Sequence, residues 1–428
     1  MAVKERVLDG VGRVGRHVPI DSVQLYSFLA SPAVRSDPWR LYGRMHRKGR
    51  GVLPVIFGIK AVATHGVATG LLRHPDTSVV EKNAEGITHL AGEHEKKEFV
   101  ELMDRTILFT DPPDHARLRR LVSRAFTPRT VERLRPRVEV LVDELVGTMR
   151  RSGRADLMSA VALPLPVAVI CELLGLPEAE RDRFLSFARD LAPRLDISLF
   201  RDPEKERRGD LAAAGIQEVL GAVIDDPSRR DPDGLISALV AVEEEGDRLT
   251  RDEMIALCGL LLVAGFETTM NLIGNGVLAL LRHPEQLALV RSGSFDAGRM
   301  VDELLRFDGP VQLTQRVPMA DLSIEGEDFA ARRLVVVLVG AANRDPAVFD
   351  RPDVLDIGRE HNPHLAFSSG IHHCLGAALA RLEAGIAIPA IVRSLPDLSL
   401  AARPRHRDTF VLRGLSTLPL KWSMIPAA

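Results

Sequence analysis

A mainly α chain with minor β is the class the sequence predicts, on three observations. Helical patterning broken by prolines runs from Pro112 to Gly246, and one apolar segment from Thr250 to about Arg282 is too long for a strand. The strand-like runs are short and fall outside that helical middle.

Asp37 and Pro38 offer an N-cap and a first-turn proline for a helix ending near Gly49. Val52 to Phe57 and Ala61 to Thr64 read as a strand pair. Breaks at Thr127-Pro128, Pro164 to Pro166, Leu176-Pro177 and Asp226-Pro227 divide the helices that follow. Thr250, Arg251, Asp252 and Glu253 form a capping box, in which the hydroxyl and the carboxylate satisfy free N–H groups of the first turn. The helix it opens ends before His283-Pro284 and, at about 1.5 Å per residue, is about 48 Å long. Residues 255 to 264 are apolar almost all round, which predicts burial. Small sheets are expected at Leu322 to Ile324, Leu334 to Val339, Phe410 to Leu412 and Leu418 to Leu420.

In 428 residues, 46% hydrophobic and 27% charged, no repeat or linker marks a second unit. One domain is expected over 35–428, after a partly ordered extension at 1–34. The 56 basic and 58 acidic residues are mixed, so no overall field recruits nucleic acid. Met1 to Pro19 lacks a signal-peptide core, and no apolar run reaches the roughly 20 residues of a membrane span, so the expected location is the cytoplasm. Cys171, Cys258 and Cys374 are too scattered for a disulfide framework or a zinc site.

Polar residues in four segments carry chemistry. Phe367, Ser368, Gly370, His372, Cys374 and Gly376 precede a helical stretch from Ala377 to Ala384. A cysteine at a helix N-terminus sits near free N–H groups that favour its thiolate, and glycines at 370 and 376 allow close approach of a planar ligand. His115 and Arg119 share a helical face at i and i+4, and Glu303 and Arg306 can pair at i and i+3. Ala264, Gly265, Phe266, Glu267, Thr268 and Thr269 interrupt the apolar helix with an acid and two hydroxyls, either as a locally satisfied kink or as working groups.

These segments, in this order, resemble the cytochromes P450, over roughly residue 35 to the end. The resemblance implies the P450 fold, with haem b (iron protoporphyrin IX) between the long helix and the cysteine loop. Cys374 would be the axial metal ligand, within a loop that includes Phe367 and Gly376. His115, Arg119, Arg316 and His372 would bind the haem propionates, and Ala264 and Gly265 would line the haem. Glu267 and Thr268 would be the catalytic pair that delivers protons. Glu303, Arg306 and Arg359 would form a structural network behind the cofactor. Ser368 stands where many members have glycine, and Asp328 to Arg333 replaces a common Pro/Gly turn.

The implied reaction is monooxygenation: one atom of O2 enters a C–H or C=C bond of a bulky apolar small molecule of polyketide, macrolide-like or lipid class, with specificity expected from roughly residues 78 to 108, 185 to 205, the middle of the long helix, Leu313-Thr314 and the turn at Arg413 to Ser416. No flavin fingerprint or cysteine cluster is present, so electrons are expected from a ferredoxin and its NAD(P)H-dependent reductase, docking near Arg381. The chain is expected to act as a monomer. The alternative is a non-catalytic haem-thiolate sensor or carrier, against which the Glu267-Thr268 pair argues.

Overall fold

The computed structural model describes residues 31–47, 49, 51–55, 58–85, 98–191, 194, 203–242 and 246–424. Most of the expected extension, the strand end at 56–57 and much of the expected substrate-contacting segments, at 86–97 and most of 192–202, lie outside the described residues.

The helix Arg251–Arg282 organises the rest. Its capping box forms as the sequence predicts: Thr250 Oγ1 accepts from the Glu253 N–H at 3.3 Å, and Glu253 Oε2 accepts from the Thr250 N–H at 2.8 Å. Every residue from Ile255 to Leu280 is buried except Ala264, Gly265 and Thr268. By length and composition this helix could cross a membrane, which corrects the expectation that no segment could. With 83% of its apolar window inside the fold, it is the core helix. Helices Pro164–Leu174, Pro203–Asp225, Ala297–Asp308 and Ala377–Ser394 pack around it.

A five-stranded sheet runs in the order Val52–Pro54, Lys60–Val62, Val335–Val337, Thr314–Pro318, Thr77–Ser78. Val335–Val337 lies parallel to Lys60–Val62 and antiparallel to Thr314–Pro318, the strand that carries Arg316. The predicted strand at 334–339 ends early because its chain turns into a short helix, Val339–Ala342. In place of the usual Pro/Gly turn, Arg332 takes a left-handed conformation at φ 56°.

No strand forms at 410–412, where Leu412 makes a single bridge to Val311. The strands lie on either side, Arg405–His406 pairing with Leu415–Thr417. Side-chain ties shape the turn between them. The Arg413 N–H donates to Pro310 O at 2.6 Å, and its buried guanidinium donates to Asp308 Oδ1 at 2.7 Å and to the Arg35 and Ser36 carbonyls at 3.0 and 2.8 Å. Arg35 in turn pairs with Asp408 and lies 4.3 Å over the Phe410 ring. Arg413 is a core tether.

Glu383, on the helix Ala377–Ser394, is fully buried, and neither carboxyl oxygen meets a hydrogen-bond partner among the described residues. Burial pushes it from its ordinary 4.5 up to about 8. The folded chain therefore holds a proton that the unfolded chain releases above about pH 4.5, so stability falls as pH rises through that window. Glu383→Gln is expected to flatten this slope by a few kcal/mol, order of magnitude, read from denaturant unfolding between about pH 5 and pH 8.

Candidate functional site

The cysteine loop is folded back on itself. The Cys374 N–H donates to Phe367 O at 2.9 Å and the His373 N–H to Gly370 O at 3.1 Å. Ser368 is left-handed at φ 61°, which gives a physical reason for the glycine common at this place. Gly370 is also left-handed, and a Cβ there would lie 2.6 Å from Leu72 O, so its constraint is packing on the preceding helix His65–Arg73 rather than approach to a ligand. Gly376 is different: a Cβ there would meet only the Cys374 sulfur, at 4.0 Å. Arg381 stacks 4.6 Å over the Phe367 ring and donates to Asp302 Oδ1 at 2.8 Å, so much of its charge is spent inside the protein.

Cys374 is accessible, yet surrounded closely enough that desolvation pushes its thiol up. The Gly376 N–H and the charges of Arg119 and Arg381 pull the other way. An accessible sulfur in a recess, at the start of the helix Ala377–Ser394, is placed to bind a metal brought by a ligand.

His115 and Arg119 from the helix Asp114–Ala125, Arg316 from the strand Thr314–Pro318 and His372 from the cysteine loop come together. The His115 and His372 rings are 4.2 Å apart between centroids. Burial, then the charges of His115, Arg316 and Arg119, push His372 down to about 3. Burial lowers Arg316 to about 10, and burial followed by Arg119 lowers His115. Arg316 donates to Gln315 O at 2.7 Å but makes no salt bridge among the described residues. Asp111, whose charge bears on Arg316, is engaged by Ser78 Oγ and the Val79 N–H. Buried basic groups without a counter-ion need an anion, and haem propionates are such anions. Arg119 reaches towards the sulfur as well, donating to His373 O at 2.8 Å. The donor set therefore fits haem: a thiol on one side, a cationic cradle at the edge.

On the core helix, Ala264, Gly265 and Thr268 are the partly open residues between Ile255 and Leu280. At Gly265 a Cβ would lie 2.9 Å from Ile170 Cδ1, so the missing side chain also permits close helix packing. Thr268 Oγ1 donates to Ala264 O at 2.8 Å. With its proton committed there, the hydroxyl keeps lone pairs to accept from a group in the opening. Glu267, 2% exposed, instead pairs with Arg407.

Glu303 and Arg306 are wholly buried and doubly bonded, at 2.7 and 2.8 Å, and Arg359 adds a 3.0 Å bond to the same carboxylate. Arg306 also donates to the Asn343, Pro352 and Val354 carbonyls, tying the segment before the cysteine loop to the helix Ala297–Asp308. Breaking one partner of such a network costs about 3–5 kcal/mol.

Sequence reading missed Arg407, Asn271 and Asn275. A signal existed: Glu267, Asn271 and Asn275 repeat every four residues on an otherwise apolar helix.

Known proteins resemble this chain in sequence and in fold. The "Cytochrome P450" family profile matches residues 298–405. The chain is 43% identical over 327 residues to cytochrome P450 monooxygenase PikC of Streptomyces venezuelae, covering 75% of this chain and 76% of that one. It is 38% identical over 401 residues to putative cytochrome P450 140 of Mycobacterium tuberculosis, covering 92% and 90%. The structure of P450BioI in complex with hexadec-9Z-enoic acid ligated acyl carrier protein superposes with a TM-score of 0.83 at 34% identity, covering 92% of this chain and 100% of that one.

Proposed function

The chain belongs to the cytochrome P450 family of haem-thiolate monooxygenases, and on that premise we propose that Cys374 holds the haem iron and that Glu267 and Thr268 manage the protons of oxygen activation. The observation that carries this reading is the opening of a buried core helix at Ala264, Gly265 and Thr268 and nowhere else between Ile255 and Leu280.

Bound haem supplies the redox chemistry, in which R–H, O2, two electrons and two protons yield R–OH and water. The chain's residues do the rest. Arg119 and Arg316 would neutralise the two propionates, and His115 and His372 would donate ring N–H groups to them, together fixing the plane of the ring. Thr268 accepts a hydrogen bond in the opening and orients it, and Glu267 reloads the proton. The Glu303 network keeps the segment leading to Phe367 in register.

The substrate we propose is a bulky apolar molecule of polyketide, macrolide-like or lipid class. Support comes from the few aromatics and little net charge of the segments expected to contact it, and from the fatty acyl group bound by the related P450BioI. Reconstitution with a ferredoxin, its reductase, NAD(P)H and isotopically heavy O2 tests the reading on a panel of macrolactones and fatty acids. One heavy oxygen in the product is expected. A panel that shifts no haem absorption band, or a product without heavy oxygen, overturns it.

We propose an acidic ferredoxin as the electron donor. Arg120 and Arg124 lie exposed on the helix that carries His115 and Arg119, and Ile371 is exposed in the cysteine loop that Arg119 contacts. The reduction rate is expected to fall severalfold as ionic strength rises from about 0.02 to about 0.5 M, because exposed charges are screened over a Debye length. A salt-independent rate in stopped-flow reduction would contradict electrostatic docking.

A further inference from the structure

We propose that Arg407 is the positioning residue of the proton relay: it holds Glu267 ionised and turned toward the C-terminal hairpin, so that the carboxylate reloads from solvent on that side of the core helix. The proposal rests on the reading of Glu267 as a proton carrier.

The Arg407 guanidinium pairs through Nη1 with Glu267 Oε1, and its Nη2 lies 4.0 Å from Met270 Sδ. The arginine side chain is 29% exposed and the carboxylate side chain 2%, so the pair spans from solvent to a buried acid. Nor is this a loose surface contact. The Arg407 N–H donates to Gly414 O at 3.0 Å, closing the turn that presents it. A Cβ on Gly414 would lie 1.9 Å from Asn271 Oδ1, so the hairpin is seated directly on the helix. Asn271 Nδ2 reaches Glu267 Oε1 at 3.4 Å, and Asn275 Nδ2 donates to Arg413 O at 3.2 Å. One polar stripe, at 267, 271 and 275, is thus met by one hairpin. Of the other charged or titratable groups on that hairpin, Arg405 is exposed, Asp408 pairs with Arg35, and His406 and Arg413 lie near Asp308.

An arginine against a buried carboxylate keeps it ionised, which desolvation alone would oppose. An ionised Glu267 can take one proton from a hydronium ion arriving at the Arg407 side, forming an O–H bond at the carboxylate as the hydronium O–H bond breaks and a water molecule is left. It then passes that proton to the Thr268 side, and no electrons move. Removing Arg407 would take away a charge that favours the ionised form, and reloading would slow.

Infrared difference spectra of the haem-loaded protein across pH test this directly. In Arg407→Gln the protonation midpoint of Glu267 should rise by about 1–3 pH units, so that a carboxylic C=O band appears near neutral pH. The band should be absent from the Glu267→Gln/Arg407→Gln double variant, and Arg407→Lys should restore most of the parent behaviour. Product per NAD(P)H is expected to fall in both Arg407→Gln and Glu267→Gln. If Arg407→Gln folds poorly, the double variant should recover stability, because both charges of the buried pair are then gone. Arg407→Gln with no new band, or a double variant less stable than Arg407→Gln, overturns the proposal. Should Glu267→Gln itself leave coupling unchanged, the relay reading fails as well, and the two failures are told apart by that variant.

Discussion

Replacement of Cys374 by serine is expected to abolish the family's long-wavelength absorption of the reduced carbon monoxide complex and, with it, turnover. A hydroxyl is a poorer, less polarisable donor than a thiolate and is not ionised at neutral pH, so it cannot push electron density onto iron. Cys171→Ser and Cys258→Ser are expected to leave the absorption unchanged. Both thiols are buried, and desolvation pushes each up to about 12, which keeps them neutral and inert. Cys374 alone of the three is accessible, with the Gly376 N–H and two arginines favouring the anion. A Cys374→Ser protein that keeps the absorption would sink the assignment.

Thr268→Ala should leave the haem spectrum, the fold and substrate binding close to those of the parent, because alanine is the better helix former and the Ala264 carbonyl stays within the helix ladder. What it removes is an oriented acceptor in the opening. Loss of one positioned acid–base group typically costs about 10²- to 10⁴-fold in the step it serves. O2, with two electrons and two protons, should then leave as hydrogen peroxide, with NAD(P)H consumption outrunning product. Product formed per NAD(P)H consumed is the measurement. Coupling equal to the parent's would reduce Thr268 to a helix-bending residue, bonded to Ala264 and nothing more.

The long helix was legible because its signals are local: a capping box, an apolar run and a terminating His283-Pro284 pair all act within a few residues. The site residues were legible only as segments. Nothing local to Arg316 says that it will lie near two histidines more than fifty residues away on either side; strand pairing with Val335–Val337 does that. The 410–412 region failed for the same reason in reverse. Its apolar run favours a strand, but Arg413 is drawn to Asp308 and to carbonyls at 35 and 36, and these long-range ties decide the backbone. Arg407 was missed because one arginine among several near it in the sequence looks like any other until its buried partner is in place.

The clasp between Arg413 and the carbonyls of Arg35 and Ser36 joins the two far ends of the chain behind the same hairpin that presents Arg407. Removing residues through Asp37 would strip Arg413 of two of its acceptors and free Asp408 and Phe410 from Arg35. The loss would be felt some 230 positions downstream in sequence, at Glu267, as a looser lever on the acid. A trimmed N-terminus in this protein is thus an indirect way of mutating its interior, and shortened versions made for solubility or crystallisation should be checked for proton handling before their chemistry is compared with that of the full chain.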